Sequence, residues 1–207
     1  MRAMKRQWKR KEKLLLRKTF YFISLHYRFL MNKMWGKKMS PWWNTIDSSL
    51  ILGALPLQVK LEEMLKSIDA PAILSLVEDF ELQGLPFCLR PVSKDDWKYR
   101  QIPHLQLSLP DMKCLSNDQF DQGIEFIEEQ KAKGRQIYVH CKAGRGRSAS
   151  LVAAYYAEKY KLDVESALKK IRDKRPLSAP SKKQIQSIVN YFKNKKSPGN
   201  LTEISAL

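Results

Sequence analysis

HCKAGRGRS, residues 140–148, is the stretch from which the organisation of the chain follows. Residues 136–139 before it are QIYV, a short β-branched and aromatic run that predicts a buried strand. Residues 150–157 after it are SLVAAYYA, a mostly apolar run that predicts a core helix. A strand, a glycine-containing loop and a helix in this order form an anion site, because the loop N–H groups and the helix N-terminus converge on one point.

The residue types of this loop suit the cleavage of a phosphate ester. Cys141 offers a sulfur nucleophile, and loop N–H groups, the helix dipole and nearby cations lower the pKa of such a thiol. Arg147 presents a planar fork that matches two phosphate oxygens. Gly144 and Gly146 permit the tight turns that aim N–H groups inward. Ser148 can donate its hydroxyl to the sulfur. An ordinary buried thiol at Cys141 is the alternative interpretation.

The pattern Cys-x5-Arg-Ser, with His140 before the cysteine, resembles the signature of the cysteine-dependent protein tyrosine and dual-specificity phosphatases. Within them, the chain is similar to the mitochondrial phosphatidylglycerophosphate phosphatases, whose substrate is a cardiolipin precursor. The resemblance covers residues 41–193 and implies a dual-specificity phosphatase-like α/β fold. In that fold a central, mostly parallel sheet is flanked by helices, and the Cys-x5-Arg loop joins a strand to a helix. Matching stretches are residues 42–56, Glu78–Glu81, Trp97, Lys98, Asp111 and Met112.

The resemblance also implies roles for the site residues. Cys141 attacks phosphorus, His140 orients the loop, and Asp111, thirty positions before the cysteine, protonates the leaving oxygen and later activates water. A turn or capping role is the alternative for Asp111, and its nearby rivals are Asp79, Asp118 and Asp121. No metal or cofactor is expected, because the loop and Arg147 supply the positive charge. The implied substrate-binding residues are Lys142, Ala143, Gly144, Arg145, Gly146 and Arg147.

Two further cations in the loop bear on the substrate. Lys142 and Arg145 resemble the loop cations of inositol-lipid phosphatases and favour a multiply anionic substrate, with solvated loop charge as the alternative. We therefore expect a phosphomonoester hydrolase acting on phosphatidylglycerophosphate first and a phosphoinositide second. The alternatives are a dual-specificity protein phosphatase, an RNA 5′-phosphatase and a non-catalytic phosphate-binding module. The acidic residues Glu78, Asp79 and Glu81 predict either surface solvation or a part in substrate positioning.

The positive charge is concentrated at the amino terminus. Residues 1–40 hold 13 Lys or Arg and one Glu, a net charge of +12 out of +17 for the chain. Residues 14–35 are rich in Leu, Phe, Tyr and Met, and their spacing predicts a cationic amphipathic helix with Leu15, Phe22 and Phe29 on its apolar face. A membrane-surface anchor on anionic lipid is the favoured interpretation, ahead of a mitochondrial presequence and a nucleic-acid-binding arm.

These observations predict a basic arm over 1–40, a catalytic domain over 41–193 and a disordered tail over 194–207. We expect a monomer that binds no nucleic acid and associates with a membrane. That membrane is the mitochondrial inner membrane in a eukaryote; a bacterial protein would lie on the cytoplasmic membrane face or be a secreted effector. Cys88 and Cys114 are expected to be core thiols, with a redox partner for Cys141 as the alternative. The predicted strands are 48–55, 72–77, 104–109 and 136–140, the predicted helices 57–67, 117–133, 147–161, 163–172 and 181–193, and the long loop 78–101.

Overall fold

The computed structural model describes residues 2–39, 41–83 and 89–195. The sheet has five strands and is flanked by helices, as the resemblance implies. The strands are β1 Trp43–Thr45, β2 Leu50–Gly53, β3 Pro71–Ser75, β4 His104–Gln106 and β5 Gln136–His140. The helices are α1 Arg2–Met39, α2 Gln58–Lys66, α3 Lys94–Tyr99, α4 Asn117–Ala132, α5 Arg147–Lys159, α6 Val164–Lys174 and α7 Lys182–Lys195, with a 3₁₀ helix at Asp79–Leu82.

Strand β5 lies at the centre of the sheet, whose order is β1-β2-β5-β3-β4. It runs parallel to β2 on one side and to β3 on the other, and among the strand pairs of the described residues only β1 and β2 are antiparallel. Its last residue, His140, is in register with Gly53 of β2 and Ser75 of β3. The residues that follow β5 therefore emerge at the carboxyl edge of the parallel strands, where α/β sheets bind their ligands.

Local signals account for several helix boundaries. Ser116 caps α4 through a capping box with Gln119, and the chain leaves that helix at Gly134 with φ +72°. Asp163 caps α6 by accepting a hydrogen bond from Ser166 N–H, as predicted. The run 149–157 of α5 is wholly buried, which confirms the prediction of a core helix behind the loop.

The secondary structure differs from the prediction in two places. The predicted strand 48–55 is confirmed as β2 with narrower bounds, but the short edge strand β1, which pairs with β2 in a hairpin, was not predicted. The polar stretch 78–101 is not one loop, because it contains the 3₁₀ helix and α3. The signal for α3 was the spacing of Ser93 and Asp96, which form a capping box.

Helix α1 packs along one face against the core that surrounds the sheet. Tyr21, Phe22 and Leu25 are buried in the same core cluster as the side chains of the sheet and α5. The apolar face of α1 was expected to face a membrane, and this is wrong for two of its three residues. Phe22 is buried inside the protein and Phe29 packs on Trp42, whereas Leu15 is exposed. The helices within the described residues are too polar or too short to cross a membrane. The predicted tail lies outside the described residues beyond position 195.

Candidate active site

The carbonyl groups of the loop after Cys141 accept hydrogen bonds from outside the loop. A peptide whose carbonyl points outward turns its N–H to the opposite side, so the centre of the loop is lined with donors. The N–H groups of Arg145 and Ser148 face the Cys141 sulfur. The outward bonds are Leu55 N–H to Lys142 O (3.2 Å), Arg175 Nη2 to Ala143 O (3.2 Å), Arg175 Nε to Gly144 O (2.9 Å), Ala179 N–H to Arg145 O (2.8 Å) and Ser150 N–H to Gly146 O (2.8 Å).

One of the two loop glycines is required by its backbone. Gly144 has φ +65°, and a Cβ atom there would lie 2.3 Å from the carbonyl oxygen of Gly53 at the end of β2. The prediction for Gly146 is wrong in its reason, because this residue has an ordinary φ of −106°. Its small size leaves room for the Gln184 side chain, since a Cβ atom would lie 3.0 Å from Gln184 Oε1.

The Cys141 thiol lies at the base of the loop and is almost completely buried. Burial acts to raise the pKa of this thiol, but the Arg147 guanidinium and the hydrogen bonds of Ser148 outweigh it, so that the pKa is lowered. Ser148 donates its hydroxyl to the sulfur at 3.3 Å. The surroundings of Cys141 thus favour the thiolate, which is the reactive form.

Arg147 is held by an acid that comes from a distant part of the chain. Its Nη1 and Nη2 donate to the two carboxylate oxygens of Glu81 at 2.7 and 3.1 Å, and Nη1 also donates to Leu109 O at 2.7 Å. Burial acts to lower the pKa of Arg147, but Glu81 and the Cys141 thiolate outweigh burial and raise the pKa above its ordinary value. The guanidinium therefore stays charged. Its Nε is buried and has no hydrogen-bond partner among the described residues. A buried donor without an acceptor beside a nucleophile is suited to a phosphate oxygen.

Asp111 lies at the same cavity in a turn after β4. Its carboxylate forms an ion pair with Lys142 of the loop and lies 3.3 Å from Arg147 Nη2. Burial acts to raise the pKa of Asp111, but Arg147 and Lys142 outweigh it and lower the pKa. The three other aspartates considered as the general acid make different contacts. Asp79 is exposed and pairs with Lys94, Asp118 lies in the first turn of α4, and Asp121 accepts a hydrogen bond from Tyr191.

His140 is buried beneath the loop in a chain of hydrogen bonds. Its Nδ1 lies 3.3 Å from Cys141 O, so this nitrogen donates a hydrogen bond. The Nε2 of the neutral ring then accepts a hydrogen bond from the Ser75 hydroxyl at 2.6 Å. Ser75 in turn accepts from His104 Nε2 at 2.8 Å. Burial lowers the pKa of His140 to about 3 and that of His104 to about 4, so both rings are neutral. His140 therefore has a fixed orientation.

A cavity of about 280 Å³ opens above the sulfur. Ser181 closes one side of it and caps α7, accepting from Gln184 N–H at 3.3 Å while Gln184 Oε1 accepts from Ser181 N–H at 3.0 Å. A larger cavity of about 580 Å³ between α5, α6 and α7 contains none of these residues. The lining of the smaller cavity includes Asp111, Cys141, Lys142, Ala143, Arg145, Gly146 and Arg147.

The structure brings together the predicted site residues and adds three that the sequence analysis missed. Gln184 lines the cavity, Arg175 binds two loop carbonyls, and Ser75 links the two histidines. For the acidic cluster, Glu81 is fully buried against Arg147, so surface solvation is wrong for this residue. The spacing of Glu78 and Glu81, which form a capping box, was the signal for an ordered segment.

The remaining predicted residues are the two other cysteines and Arg145. Cys114 is a half-buried free thiol, and Cys88 lies outside the described residues. Among the residues that the structure describes, no group of three or more His, Cys, Asp or Glu side chains is placed to hold a metal ion. Arg145 is exposed at the rim, where its Nε donates to Leu177 O at 3.1 Å.

Comparison with known proteins yields one consistent group of relatives. The family model for the dual specificity phosphatase catalytic domain matches residues 75–194. The human phosphatidylglycerophosphatase and protein-tyrosine phosphatase 1 is 31% identical over 157 residues, which are 75% of this chain and 76% of that protein. An Arabidopsis thaliana phosphatidylglycerophosphate phosphatase is 29% identical over 177 residues, 84% of this chain and 49% of that protein.

Solved structures agree with the sequence relatives. A crystal structure of PTPMT1 in complex with PI(5)P matches with a TM-score of 0.66 and 26% identity over 75% of this chain and 97% of that one. The crystal structure of Tk-PTP in the active form matches with a TM-score of 0.64 and 28% identity over 75% of this chain and 99% of that one.

Proposed function

The chain belongs to the dual specificity phosphatase family and is a phosphatase, and from this premise we propose that it hydrolyses the phosphomonoester of a membrane phospholipid through a phosphocysteine intermediate. The observation that carries the proposal is the arrangement of Cys141, Asp111 and the Nε of Arg147, which has no partner among the described residues, around one cavity. The three groups supply a nucleophile, a phosphate clamp and an acid.

In the first step the Cys141 thiolate attacks phosphorus, an S–P bond forms and the ester P–O bond breaks. The loop N–H groups and Arg147 bind the three non-bridging oxygens, whose charge they stabilise in the transition state. Asp111 gives its proton to the departing alkoxide. The negative charge of the bound phosphate offsets Arg147, so the pKa of Asp111 rises toward the range in which it is protonated.

In the second step water cleaves the S–P bond. Asp111, now ionised, takes a proton from the water as oxygen attacks phosphorus, and inorganic phosphate leaves. Ser148 stabilises the sulfur as it departs as thiolate, because its hydroxyl points at Sγ. His140 takes no part in proton transfer; its neutral ring holds the start of the loop.

A phospholipid is the proposed substrate because two further cationic side chains line the cavity beside the phosphate clamp. Lys142 and Arg145 line the cavity in addition to Arg147, and a second anionic group beside the scissile phosphate pairs with them. Phosphatidylglycerophosphate has such a group in its phosphodiester, and a phosphoinositide has one as well. The names of the human and Arabidopsis relatives and the PI(5)P complex support this class.

We place the reaction at an anionic membrane surface. The net charge of +12 over residues 1–40 supports electrostatic attraction to acidic lipids. If the organism is a eukaryote, we propose the mitochondrial inner membrane. The proposed enzyme acts as a monomer and has no nucleic-acid partner.

The experiment compares phosphate release from phosphatidylglycerophosphate, phosphatidylinositol 5-phosphate, a phosphotyrosine peptide and a 5′-triphosphorylated RNA under one set of conditions. The proposal predicts the highest kcat/KM for one of the two lipids. Faster turnover of the peptide would show a protein phosphatase instead. A Cys141→Ser control removes the nucleophile and should release no phosphate from any of the four.

A further inference from the structure

Helix α1 carries apolar side chains on its outer face as well as on its inner face. Six apolar side chains on the outer face are each between 52% and 69% exposed. Their spacing alternates between four and three residues, so they form one continuous stripe along the helix. We name them the outer stripe: Leu16, Phe20, Ile23, Tyr27, Leu30 and Met34.

The inner face fixes the position of this stripe relative to the active site. Tyr21 and Leu25 are buried in the core, and the Tyr21 hydroxyl donates to Glu81 O at 3.3 Å. Arg17 forms an ion pair with Glu78 and lies over the Phe80 ring. The helix therefore contacts the segment that holds Arg147, and it is part of the wall of the phosphatase domain.

One end of the outer stripe borders the mouth of the active site. Lys142 Nζ lies 5.9 Å from the ring centroid of Phe20 and 5.4 Å from that of Tyr21. Lys142 also pairs with Asp111 at the cavity. A flat surface that covers the stripe therefore lies beside the opening through which substrate enters.

The charges beside the outer stripe disfavour a dimer in which two copies of α1 pack against each other. In a coiled-coil pair, acidic and basic residues beside the seam attract each other across the interface. The positions that flank this stripe carry Arg17, Lys33 and neutral residues and no acid. Two helices with a net charge of +12 over residues 1–40 repel each other, whereas an anionic bilayer attracts each of them.

We propose that the outer stripe of α1 inserts into the interface of an anionic lipid bilayer and, because the inner face is fixed to the domain, holds the active-site opening at the membrane surface. This inference rests on the proposed lipid substrate for its purpose, but it concerns a different surface. The apolar side chains enter the acyl boundary and the flanking Lys33 remains at the headgroups.

The test is co-sedimentation of the full chain with vesicles of phosphatidylcholine and phosphatidylglycerol, which contain no phosphomonoester. The wild type should bind these vesicles and bind pure phosphatidylcholine more weakly. A triple variant, Ile23→Gln, Tyr27→Gln and Leu30→Gln, should partition at least about tenfold less, because three apolar side chains no longer enter the bilayer. A matched control, Val59→Gln with Tyr99→Gln, changes exposed apolar side chains of α2 and α3 and should bind as the wild type does.

Hydrolysis of a soluble aryl phosphate reports folding and should be equal in all three proteins. If the triple variant does not fold, the single Tyr27→Gln variant should still lower the partition in the same direction. Equal vesicle binding by the wild type and the stripe variants would overturn the inference, as would failure of the wild type to bind. A dimeric wild type that becomes monomeric in the triple variant would show a second copy on the stripe instead. Stripe-dependent binding without lipid hydrolysis would retain this inference and refute the proposed substrate.

Discussion

Lys142 connects three parts of the molecule. It belongs to the loop, it pairs with Asp111, and its ammonium lies near the rings of Phe20 and Tyr21 on α1. Without substrate this lysine stabilises the ionised form of Asp111, which is the wrong form for an acid. In the proposed mechanism, a substrate with a second anionic group competes for Lys142 and so releases Asp111 to act.

Replacement of this lysine should separate the two kinds of substrate. In Lys142→Met the pKa of Asp111 rises, so the protonated acid persists to higher pH and the basic limb of kcat/KM for an aryl phosphate moves upward. For phosphatidylglycerophosphate, KM should rise about tenfold or more, because a charged hydrogen bond is lost. Complete pH–rate profiles on both substrates measure this, with Lys133→Met on the far side of the domain as control. Parallel changes on both substrates would contradict this role.

Glu81 holds the Arg147 guanidinium in place and balances its charge. Both side chains are buried, and the pair is bidentate. Glu81→Gln should lower the free energy of unfolding by about 3–5 kcal/mol, since it leaves the buried guanidinium without its carboxylate. It should also lower kcat/KM, because Arg147 is no longer held in place for phosphate. Denaturant unfolding and soluble-substrate kinetics measure the two effects. Asp79→Asn, which changes an exposed acid two positions away, should alter neither.

The elements differ in how far their sequences specify them. The loop between β5 and α5 was predictable because Cys141, Arg147 and Ser148 lie within eight positions and act on one another through local geometry. The bond of Glu81 to Arg147 and those of Arg175 to the loop span 66 and about 31 positions, so they depend on the sheet order and could not be predicted from a local pattern. The strand β1 was missed because three edge residues carry too little periodicity.

For helix α1, too, the local sequence pattern predicts only part of what the structure shows. Its amphipathic and basic character was predictable, but both of its faces carry apolar residues, and the pattern alone does not distinguish the protein-facing side from the outer one. Only the packing of Tyr21 and Leu25 into the core assigns the two faces. The separation of an arm over 1–40 from a domain over 41–193 stays a prediction.

The packing of α1 has a measurable consequence. Leu25→Ala should lower the free energy of unfolding by about 2–5 kcal/mol, because a fully buried side chain leaves a cavity. Ile23→Ala, two positions away on the exposed face, should change it by less than about 0.5 kcal/mol. Urea titrations of both variants test this. Equal, small effects would mean that α1 does not pack on the domain in solution.

The buried chain of His104, Ser75 and His140 makes the stability of the whole protein depend on pH. Below pH 6.5 the unfolded chain binds a proton at His104 and at His140, while burial keeps both neutral in the fold until about pH 4 and about pH 3. Since the unfolded state binds more protons, stability falls as pH falls through this window. Each histidine contributes about 1.4 kcal/mol per pH unit where only the unfolded state is protonated.

Urea unfolding between pH 6.5 and 4 measures this slope. His104→Gln removes one of the two protonation sites, so the variant should lose stability with about half the pH dependence of the wild type. An unchanged slope would show that His104 does not remain neutral in the folded state.

Cys141 is proposed to carry the phosphoryl group between the two steps, and the intact-protein mass after rapid denaturation with excess substrate tests this. With an aryl phosphate whose leaving group departs without protonation, Asp111→Asn slows mainly the second step, so a species heavier by one phosphoryl group should accumulate on Cys141. It should be absent when Cys141→Ser is added to the same variant. A phosphoryl group on another residue, or phosphate release that persists in Cys141→Ser, would contradict the account.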